Sequence, residues 1–495
     1  MDILYNSTRG GSLGLTASQA VIKGLSDDGG LFVPDSLPSF DFELSELTDW
    51  DYRETAYRVM RLLLTDYTEE ELRGCINKAY DSKFDSEEIA VLRKAGDQFF
   101  LELFHGRTIA FKDMALSILP HLLTTAMKKN KEDKEVVILT ATSGDTGKAA
   151  LSGFADVDNT RIIVFYPKGG VSRIQELQMV TEKGKNTCVV AVKGNFDDCQ
   201  SKVKEIFNNV KLKQEMAEKG YVFSSANSIN IGRLVPQIAY YVYAYGQLIK
   251  TGEIKAGDEV NFTVPTGNFG NILAAYYAKL LGLPVGRLIC ASNENKVLFD
   301  FFKDGIYDKN REFILTSSPS MDILISSNLE RLIYMITGCD PQKNLELMTA
   351  LSKEGRYEIS SDMKARLNDF VGLYSGEQDV FNTIKSIYEK TGYVIDTHTG
   401  VAACSDLAYK KDTNDKRKSV VISTASPYKF ASSVYKAIKS DSKLTDDFAI
   451  IDELSKLSGV KIPPAIEEIK NAEILHKKLC EKEKMEALVR EELGI

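Results

Sequence analysis

The amino-acid sequence predicts an α/β protein with parallel sheets whose two faces are covered by helices. From about residue 135, short runs rich in β-branched residues alternate with helical stretches. Near-continuous apolar strands separated by helices are typical of parallel sheets that are buried on both sides. Three of these strands lead into loops rich in glycine or hydroxyl side chains, at the sheet edge where α/β proteins bind ligands. The predicted strands are 136–139, 162–166, 188–192, 221–223, 260–264, 288–290 and 420–424.

The segments outside this alternation are predicted to be helical. Residues 50–95 repeat apolar positions at helical spacing, and both Ser45-Glu46 and residues 68–71 place acidic side chains where helix starts favour them. We therefore expect an N-terminal helical unit. Residues 340–390 are charge-rich and helical in pattern, which is typical of a solvated layer. Residues 466–492 have the pattern of an amphipathic helix.

The composition argues against several classes of function. A chain of 495 residues can form two or three domains, and its net charge of −8 argues against a nucleic-acid binder. No apolar run reaches the roughly 18 residues of a membrane span, and the first residues lack a signal-peptide pattern. Seven scattered cysteines suit a reducing cytoplasm, and four histidines show no metal-binding spacing. We expect a cytoplasmic protein with a small-molecule substrate, no metal, and neither a membrane nor a nucleic-acid partner. The oligomeric state is not predicted.

Residues 103–113 place one lysine, Lys112, among apolar and small residues where a loop becomes a helix. Burial disfavours the charged form of an amine, so its pKa falls and it becomes a nucleophile toward aldehydes. A Schiff base with pyridoxal phosphate requires such an amine. A solvated lysine at a helix start is the commoner explanation of such a segment. The interpretation therefore depends on finding phosphate, pyridine and carboxylate sites elsewhere in the chain.

The strand at 260–264 leads into Pro265-Thr266-Gly267-Asn268-Phe269-Gly270-Asn271, and a helix follows from Ile272. A strand, a glycine loop and a helix start together direct backbone N–H groups and the helix dipole at a phosphate. The glycines are expected to permit positive φ and a close approach of the anion. The spacing does not fit G-x-G-x-x-G, which argues against a dinucleotide site. A tight structural turn is the open alternative.

A second loop, Thr142-Ser143-Gly144-Asp145-Thr146-Gly147-Lys148, follows the first predicted strand. It fails as a nucleotide-binding P-loop, because Thr142 stands where that motif needs glycine and Ala149 follows the lysine. Its hydroxyl and N–H groups suit a small carboxylate, and a simple helix N-cap explains it equally well. The last strand ends at Ser423-Thr424, where a neutral hydroxyl could hydrogen-bond a pyridine nitrogen. That feature alone carries little information.

Together these segments resemble the threonine synthases, of the longer kind found in many bacteria and fungi. The resemblance runs from the first residues to near the end of the chain, and its specificity comes from the order and spacing of many short segments. The segments are Tyr5-Asn6-Ser7-Thr8-Arg9-Gly10, Gly29-Gly30-Leu31-Phe32-Val33-Pro34, residues 104–113, 142–147, Asn227-Ser228-Ile229-Asn230, residues 266–271, Ser318-Pro319-Ser320-Met321-Asp322-Ile323 and Asp396-Thr397-His398-Thr399-Gly400.

The resemblance implies the fold-type II architecture of pyridoxal phosphate enzymes, which is tryptophan synthase β-like. It has two parallel-type α/β domains, and here an N-terminal helical unit is added. We expect this N-terminal unit at 1–92 and the large cofactor domain at 93–134 and 222–495. The smaller inserted α/β domain is expected at 135–221.

The resemblance also implies roles for individual residues. Lys112 is the catalytic residue that forms the Schiff base with pyridoxal 5′-phosphate, and Thr424 meets the pyridine nitrogen. The substrate phosphate is assigned to Arg233, with an exposed surface arginine as the alternative. The remaining implied residues are Gly267, Asn268, Phe269, Gly270 and Asn271 for the cofactor phosphate, and Ser143, Gly144, Asp145 and Thr146 for the substrate carboxylate.

The implied reaction converts O-phospho-L-homoserine and water to L-threonine and phosphate, by γ-elimination and β-hydration, in threonine biosynthesis. A related fold-type II lyase is the alternative, either a threonine or serine dehydratase or a phospho-lyase similar to threonine synthase. A further alternative is a non-catalytic binding protein that keeps the fold. Two positions depart from the family: Arg107 stands where proline is usual, and Asp145 stands where β-replacement relatives have asparagine. The group that binds the cofactor's 3′-oxygen is therefore left open.

Overall fold

The structure is a computed structural model that describes residues 2–142, 144–441 and 443–495, without the side chain of residue 197. Most of the chain is organised around two sheets, one of six strands and one of five. The strands are β1 (Tyr5–Ser7), β2 (Phe32–Pro34), β3 (Val91–Ala95), β4 (Gln98–Glu102), β5 (Glu135–Ala141), β6 (Thr160–Pro167), β7 (Thr187–Lys193), β8 (Tyr221–Ser224), β9 (Val260–Pro265), β10 (Val285–Ser292), β11 (Ile306–Asp308), β12 (Arg356–Glu358), β13 (Phe370–Tyr374), β14 (Lys418–Ser423) and β15 (Lys478–Glu481).

Helices cover both faces of the sheets. Short 3₁₀ helices occur at Leu44–Thr48, Pro319–Met321, Pro427–Phe430 and Lys482–Lys484. The α-helices are α1 (Ala17–Lys23), α2 (Tyr52–Met60), α3 (Glu69–Ala79), α4 (Asp113–Leu116), α5 (Leu119–Lys129), α6 (Asp145–Phe154), α7 (Arg173–Val180), α8 (Phe196–Asn208), α9 (Val210–Glu218), α10 (Ile231–Lys250), α11 (Gly270–Leu280), α12 (Val297–Asp304), α13 (Leu329–Ile336), α14 (Pro341–Lys353), α15 (Ser361–Ala365), α16 (Glu377–Thr391), α17 (Thr397–Thr413), α18 (Ala431–Ile438), α19 (Asp447–Ser458), α20 (Pro464–Lys470) and α21 (Met485–Leu493).

The larger sheet has the strand order β13-β10-β9-β14-β4-β3. Its neighbouring strands are parallel, except for the antiparallel edge pair of β3 and β4. Every residue of β9 is buried, which explains why this strand is an almost continuous apolar run. The carboxyl ends of the adjacent strands β9, β14 and β4 lie at one edge of the sheet, so the loops that follow them are neighbours.

The smaller sheet has the order β15-β7-β6-β5-β8, and all of its pairs are parallel. Four of its strands are those predicted between residues 136 and 223. The fifth corrects the prediction of one helix over 466–492, because that segment contains the end of α20, the strand β15 and most of α21. β15 completes the open edge of β7, and this pairing outweighs the local helical pattern. Parts of the chain beyond 135–221 therefore belong to this sheet.

Two other helical predictions are corrected by sheet pairing. Residues 91–95, at the end of the predicted N-terminal helical unit, form β3 and pair with β4. Within 340–390, the strand β13 lies between α15 and α16 and pairs with the buried strand β10. In both places a sheet edge offers backbone hydrogen bonds that outweigh local helix propensity. The rest of the N-terminal unit is helical, apart from the short antiparallel pair β1–β2.

These observations confirm the predicted α/β class with an N-terminal helical region. The principal core connects the N-terminal helices, α10, α11 and the inner strands of the larger sheet, and a separate core lies under the smaller sheet. None of the helices in the described part of the chain combines the length and the apolar character needed to cross a bilayer.

Candidate active site

The loop that carries Lys112 follows β4 and is fixed against the end of β14. The backbone N–H of Phe111 donates to the carbonyl oxygen of Thr424 at 2.8 Å, and the N–H of Ser426 donates to Ile109 at 3.0 Å. The Thr424 side chain is buried at this junction. Lys112 and Thr424, which were predicted from separate segments, are therefore brought together by two adjacent parallel strands.

The turn before Lys112 is held by the carboxylate of Asp113. This carboxylate accepts hydrogen bonds from the backbone N–H of Thr108 at 2.7 Å and from its hydroxyl at 2.6 Å. A Cβ atom at Gly106 would lie 2.6 Å from the Cβ of Asp113, so only glycine fits at this position. Arg107 is exposed between them. Its additional charge therefore stays outside the buried turn.

His105 connects the same loop to two carboxylates. Its Nδ1 lies 2.6 Å from Asp85, and its Nε2 lies 3.1 Å from Glu102 at the end of β4. Burial works against a charged ring, but these two hydrogen bonds outweigh burial and raise the pKa of His105 to about 9. At neutral pH the ring is therefore positively charged, and it anchors the start of the loop.

The amine of Lys112 is set among charged groups that the sequence places far apart. The side chain is 15% exposed, and Nζ lies 3.7 Å from Oδ2 of Asp145. Burial lowers the pKa of Lys112; Asp145 opposes this effect, while the positive charges of Lys429 and Arg233 add to it. The result is an amine that gives up its proton more easily than a solvated lysine, as nucleophilic attack on an aldehyde requires.

Asp145 is the shared partner of both lysines. Its Oδ1 lies 3.1 Å from Nζ of Lys429 and accepts a hydrogen bond from Gln175 at 2.9 Å, while its Oδ2 accepts one from Ser320 at 2.8 Å. Burial opposes ionisation of Asp145, but the two lysines and these hydrogen bonds hold its pKa well below the usual range. The carboxylate is therefore charged and already occupied by protein partners.

The loop after β9 has the geometry of an anion cradle. Phe269, not a glycine, adopts the positive φ of 65°, which corrects the expectation that the glycines take that conformation. A Cβ at Gly267 would lie 2.7 Å from the carbonyl oxygen of Ser320, so glycine is needed for close packing. The helix α11 then begins at Gly270 with no side-chain cap. Its first N–H groups and its dipole suit a phosphate.

Asn271 adds a second feature to this cradle. Its Oδ1 accepts hydrogen bonds from the hydroxyls of Tyr240 at 2.5 Å and Tyr241 at 2.7 Å, which fixes the amide orientation. Its Nδ2 is buried and has no hydrogen-bond partner among residues 2–142, 144–441 and 443–495. Buried polar groups are normally satisfied, so a fixed donor without an acceptor points to a ligand. Asn268, in contrast, is exposed.

Arg233 lies in the first turn of α10 and is buried, with 3% of its surface exposed. This excludes the alternative of an exposed surface arginine. Its Nη1 donates to the carbonyl oxygen of Ala226 at 2.9 Å, and its Nε is buried without a partner. Within the described residues no carboxylate pairs with it, and burial lowers its pKa to about 10. A buried arginine without a counter-ion is suited to binding an anionic ligand.

The loop after β5 approaches this group from the smaller sheet. Gly144 precedes α6 with a φ of 137°, and its N–H and that of Gly147 donate to the Thr142 hydroxyl at 2.9 and 3.0 Å. Thr146 lies half-buried in the first turn of α6. Ser143, which was also predicted to bind substrate, lies outside the described residues. Since the Asp145 side chain is occupied, Thr146 and the backbone N–H groups at the start of α6 are the candidates for binding a carboxylate among the described residues of this loop.

Ser320 is held by a hydrogen-bonded chain from the larger sheet. Its N–H donates to Nε2 of His398 at 3.1 Å, and Nδ1 of His398 lies 2.7 Å from Asp396. Nε2 is therefore the acceptor, and Nδ1 carries the proton that Asp396 accepts. This arrangement gives a structural role to two motif segments for which the sequence had suggested none.

The residues that the structure brings together fit pyridoxal 5′-phosphate. An amine of lowered pKa, a glycine cradle with an unsatisfied donor, and a strand-end hydroxyl lie at neighbouring loops of one sheet edge. Sequence reasoning missed Lys429, which is completely buried beside Asp145. The available signal was its position two residues after Pro427, next to Tyr428, just beyond the end of a predicted strand. It has the same kind of apolar setting that drew attention to Lys112.

Three family models match the chain. "Threonine synthase N terminus" matches residues 4–80, "Pyridoxal-phosphate dependent enzyme" matches 90–425, more than half of the chain, and "Threonine synthase, C-terminal" matches 397–473. These matches confirm the resemblance that the sequence motifs indicated.

Individual proteins and structures agree with the family models. The chain is 36% identical to threonine synthase of Saccharomyces cerevisiae over 492 residues, covering 92% of this chain and 94% of the yeast protein. It is 40% identical to human threonine synthase-like 1, covering 85% of this chain but spanning only 58% of the human protein's length. A crystal structure of PLP-bound threonine synthase from Brucella melitensis superposes with a TM-score of 0.85 at 32% identity, covering 100% of both chains. This chain belongs to the threonine synthase family of pyridoxal-phosphate-dependent enzymes, and its architecture is fold-type II.

Proposed function

We propose that this protein is a threonine synthase that converts O-phospho-L-homoserine and water to L-threonine and phosphate. The observation that carries the proposal is Arg233, a buried cation that has no counter-ion among the described residues. It is close enough to Lys112 to lower the pKa of that amine. A reaction on a phosphorylated amino acid requires an amine that attaches the cofactor covalently. It also requires a cation that binds the second phosphate, that of the substrate.

The proposed cofactor site uses the larger sheet. Lys112 binds the aldehyde of pyridoxal 5′-phosphate covalently, and the cradle at 267–271 holds its phosphate through backbone N–H groups and Nδ2 of Asn271. The Thr424 hydroxyl meets the pyridine nitrogen as a neutral partner. When bound, the cofactor withdraws electrons from the substrate's α-carbon and so acidifies the adjacent C–H bonds.

The proposed substrate site lies between the two sheets. The substrate carboxylate binds at the start of α6, where Gly144 and Thr146 lie, while Arg233 binds the phosphate. Lys112 removes the α-proton and then a β-proton, and phosphate leaves Cγ. The long flexible side chain of Lys112 then delivers a proton to Cγ, which becomes the methyl group. Arg233 stabilises the departing phosphate as its charge increases. Water adds to the β-carbon, and Lys112 returns a proton to complete threonine.

The domain arrangement is proposed to serve this chemistry. We assign the N-terminal unit to 1–92, the cofactor domain to 93–134 and 222–495, and the inserted domain to 135–221. The strands β8 and β15 complete the sheet of the inserted domain at its two edges. The contacts of α6 with Lys112, Lys429 and Ser320 cross between the two α/β units. Closure at these contacts excludes bulk water until the addition step. The cysteines of the described residues are free, which supports the proposed cytoplasmic location.

The product of the reaction tests the proposal against related lyases. The purified protein, loaded with pyridoxal 5′-phosphate, is incubated with O-phospho-L-homoserine, and phosphate, threonine and 2-oxobutanoate are measured. A parallel reaction uses threonine as substrate. Equal amounts of phosphate and threonine support the proposal. Release of 2-oxobutanoate from threonine supports a dehydratase, and phosphate with 2-oxobutanoate supports a phospho-lyase; either result would contradict it.

A further inference from the structure

Lys429 is a buried lysine at the candidate site with no assigned role. It lies in the 3₁₀ helix Pro427–Phe430, directly after the end of β14, and its side chain is 0% exposed. Nζ lies 3.1 Å from Oδ1 of Asp145 and donates to the carbonyl oxygen of Thr108 at 2.8 Å. A lysine is rarely buried completely unless it is paired, and here both of its polar partners belong to the site.

The two lysines share one carboxylate unequally. Lys112 lies 3.7 Å from Asp145, beyond hydrogen-bond distance, whereas Lys429 lies 3.1 Å from it. Lys429 is also held by the Thr108 carbonyl, while Lys112 has the freedom that a reacting amine needs. The geometry therefore makes Lys429 the permanent partner of Asp145 and Lys112 a secondary one.

We propose that Lys429 compensates the charge of Asp145 and thereby frees Lys112 to react as a neutral amine. The inference rests on the proposed function, because it concerns the amine that attacks the cofactor aldehyde. Lys429 does not touch the reacting atoms in this account. It acts through Asp145 and through its own charge, as a positioning residue.

The surrounding charges are consistent with this role. The charged groups that face Lys112 are Asp145 from α6, Arg233 from α10 and Lys429 after β14, and the two cations both favour a neutral amine. Lys429 also lowers the pKa of a second carboxylate, that of Asp113, which is buried and accepts a hydrogen bond from the Thr108 N–H. Without Lys429, the close cation left to Asp145 in the described structure would be Lys112. That pairing would keep Lys112 protonated and unreactive.

The compensation also accounts for an aspartate at position 145. A buried carboxylate close to a phosphate-bearing cofactor and a carboxylate substrate would repel both if it carried an uncompensated charge. Paired with Lys429, Asp145 presents no net charge to an anionic ligand. The pair can then take the place of the neutral amide that stands here in β-replacement relatives.

The test measures how readily Lys112 reacts with the cofactor aldehyde as the pH changes. Cofactor-free protein is titrated with pyridoxal 5′-phosphate between pH 6 and pH 10, and the Schiff-base absorbance gives the pH midpoint. Borohydride reduction and mass spectrometry confirm that the adduct is on Lys112. The variants are Lys429→Met, Lys429→Arg, Asp145→Asn and the double variant Lys429→Met/Asp145→Asn. Lys410→Met is the matched control, because Lys410 also lies 3.1 Å from a buried carboxylate, that of Asp406.

We expect the midpoint of Lys429→Met to rise by at least one pH unit and that of Asp145→Asn to fall below the wild-type value. Lys429→Arg keeps the wild-type midpoint, the double variant returns toward it, and Lys410→Met leaves it unchanged. Asp145→Asn keeps the inference testable if Lys429→Met does not fold. Adduct on Lys112 with an unchanged midpoint in Lys429→Met, or a midpoint in Asp145→Asn that does not fall, overturns the inference alone. No adduct on Lys112 in the wild-type protein contradicts the proposed function as well.

Discussion

Replacement of Arg233 by methionine is expected to stabilise the ligand-free protein while it removes activity. Most substitutions of buried residues destabilise a protein, so this expectation has an unusual sign. It follows from the geometry of Arg233: within the part of the chain that the structure describes, its buried charge has no counter-ion and its Nε has no hydrogen-bond partner. The unpaired charge destabilises the ligand-free protein and is expected to be compensated when an anionic ligand binds. Methionine fills most of the same space without charge.

The size of the effect follows from the pKa of Arg233. The fall of this pKa from the ordinary arginine value to about 10 corresponds to about 3 kcal/mol, at about 1.4 kcal/mol per pKa unit. Loss of the hydrogen bond to Ala226 offsets about 1 kcal/mol, so we expect a net gain of about 2 kcal/mol. The folded pKa lies below the unfolded one, so the penalty is complete below pH 10 and disappears as the pH rises toward the unfolded value. At neutral pH the variant therefore keeps the whole advantage.

The assay combines urea unfolding of the cofactor-free protein with steady-state kinetics on O-phospho-L-homoserine. Inorganic phosphate is expected to raise the urea midpoint of the wild type but not that of Arg233→Met. We expect Arg233→Met to lose two charge-assisted hydrogen bonds to the substrate phosphate. This loss corresponds to about 3–6 kcal/mol, or a fall in kcat/KM of roughly 10²–10⁴-fold.

Arg331→Met is the matched control for this experiment. Arg331 is also buried, and burial lowers its pKa to about 10 as well, but its N–H groups donate to Phe32, Asn328 and Ile229. Its removal is expected to destabilise the protein by several kcal/mol, because it leaves these acceptors unsatisfied. The reasoning would be refuted if the Arg233→Met variant were less stable than the wild type and had an unchanged kcat/KM.

Three further outcomes are expected. Lys112→Ala remains folded, shown by an unchanged circular dichroism spectrum, but it loses the visible absorbance of bound cofactor and all turnover; retained turnover would contradict its role. Gly267→Ala weakens cofactor binding about tenfold or more in a spectroscopic titration, because its Cβ meets a carbonyl oxygen at 2.7 Å, whereas Gly74→Ala, with open space, binds normally. His105→Gln loses about 2–3 kcal/mol at pH 6, measured by urea unfolding. Because the folded pKa of His105 is raised to about 9, this contribution is present below about pH 6.5 and disappears toward pH 9; a difference from the wild type that does not vary with pH would count against it.

The sequence predicted most of the buried strands but missed β4, although every residue of β4 is buried. Among the strands at the edges of the two larger sheets, it predicted β8 but not β3, β13 or β15. β5, β6, β7, β9 and β14 are apolar enough to be recognised without knowledge of their neighbours, because both of their faces are covered. β3, β13 and β15 lie at sheet edges, and their local patterns are charged or helical. Their conformation is decided by the strand beside them, which is distant in sequence. Propensity and periodicity cannot supply that information.

A similar division holds for the candidate site. Lys112, the 267–271 loop and Thr424 each follow a strand of the larger sheet. The strand before Lys112 was not predicted, so the resemblance to the threonine synthases, and not the rule on strand ends, grouped the three. Lys429 was missed because its significance comes from Asp145, which is 284 positions away and on the other sheet. The burial of Arg233 could likewise not be predicted from the sequence, because it lies in the first turn of α10, where an exposed arginine would be equally ordinary.

The position of Asp145 couples domain contact to ligand binding. Asp145 belongs to α6, beside the smaller sheet, whereas Lys112, Lys429 and Ser320 belong to segments attached to the larger one. Ser320 is itself fixed by His398, so the larger sheet presents a rigid set of partners to one carboxylate of the smaller unit. Because Lys429 is paired with Asp145 at 3.1 Å, an anionic ligand that enters between the units meets a carboxylate whose charge is already balanced. The contacts of Asp145 with Lys429 and Ser320 are therefore among those that join the two units, and they leave Lys112 beyond hydrogen-bond distance of that carboxylate, free to face a ligand.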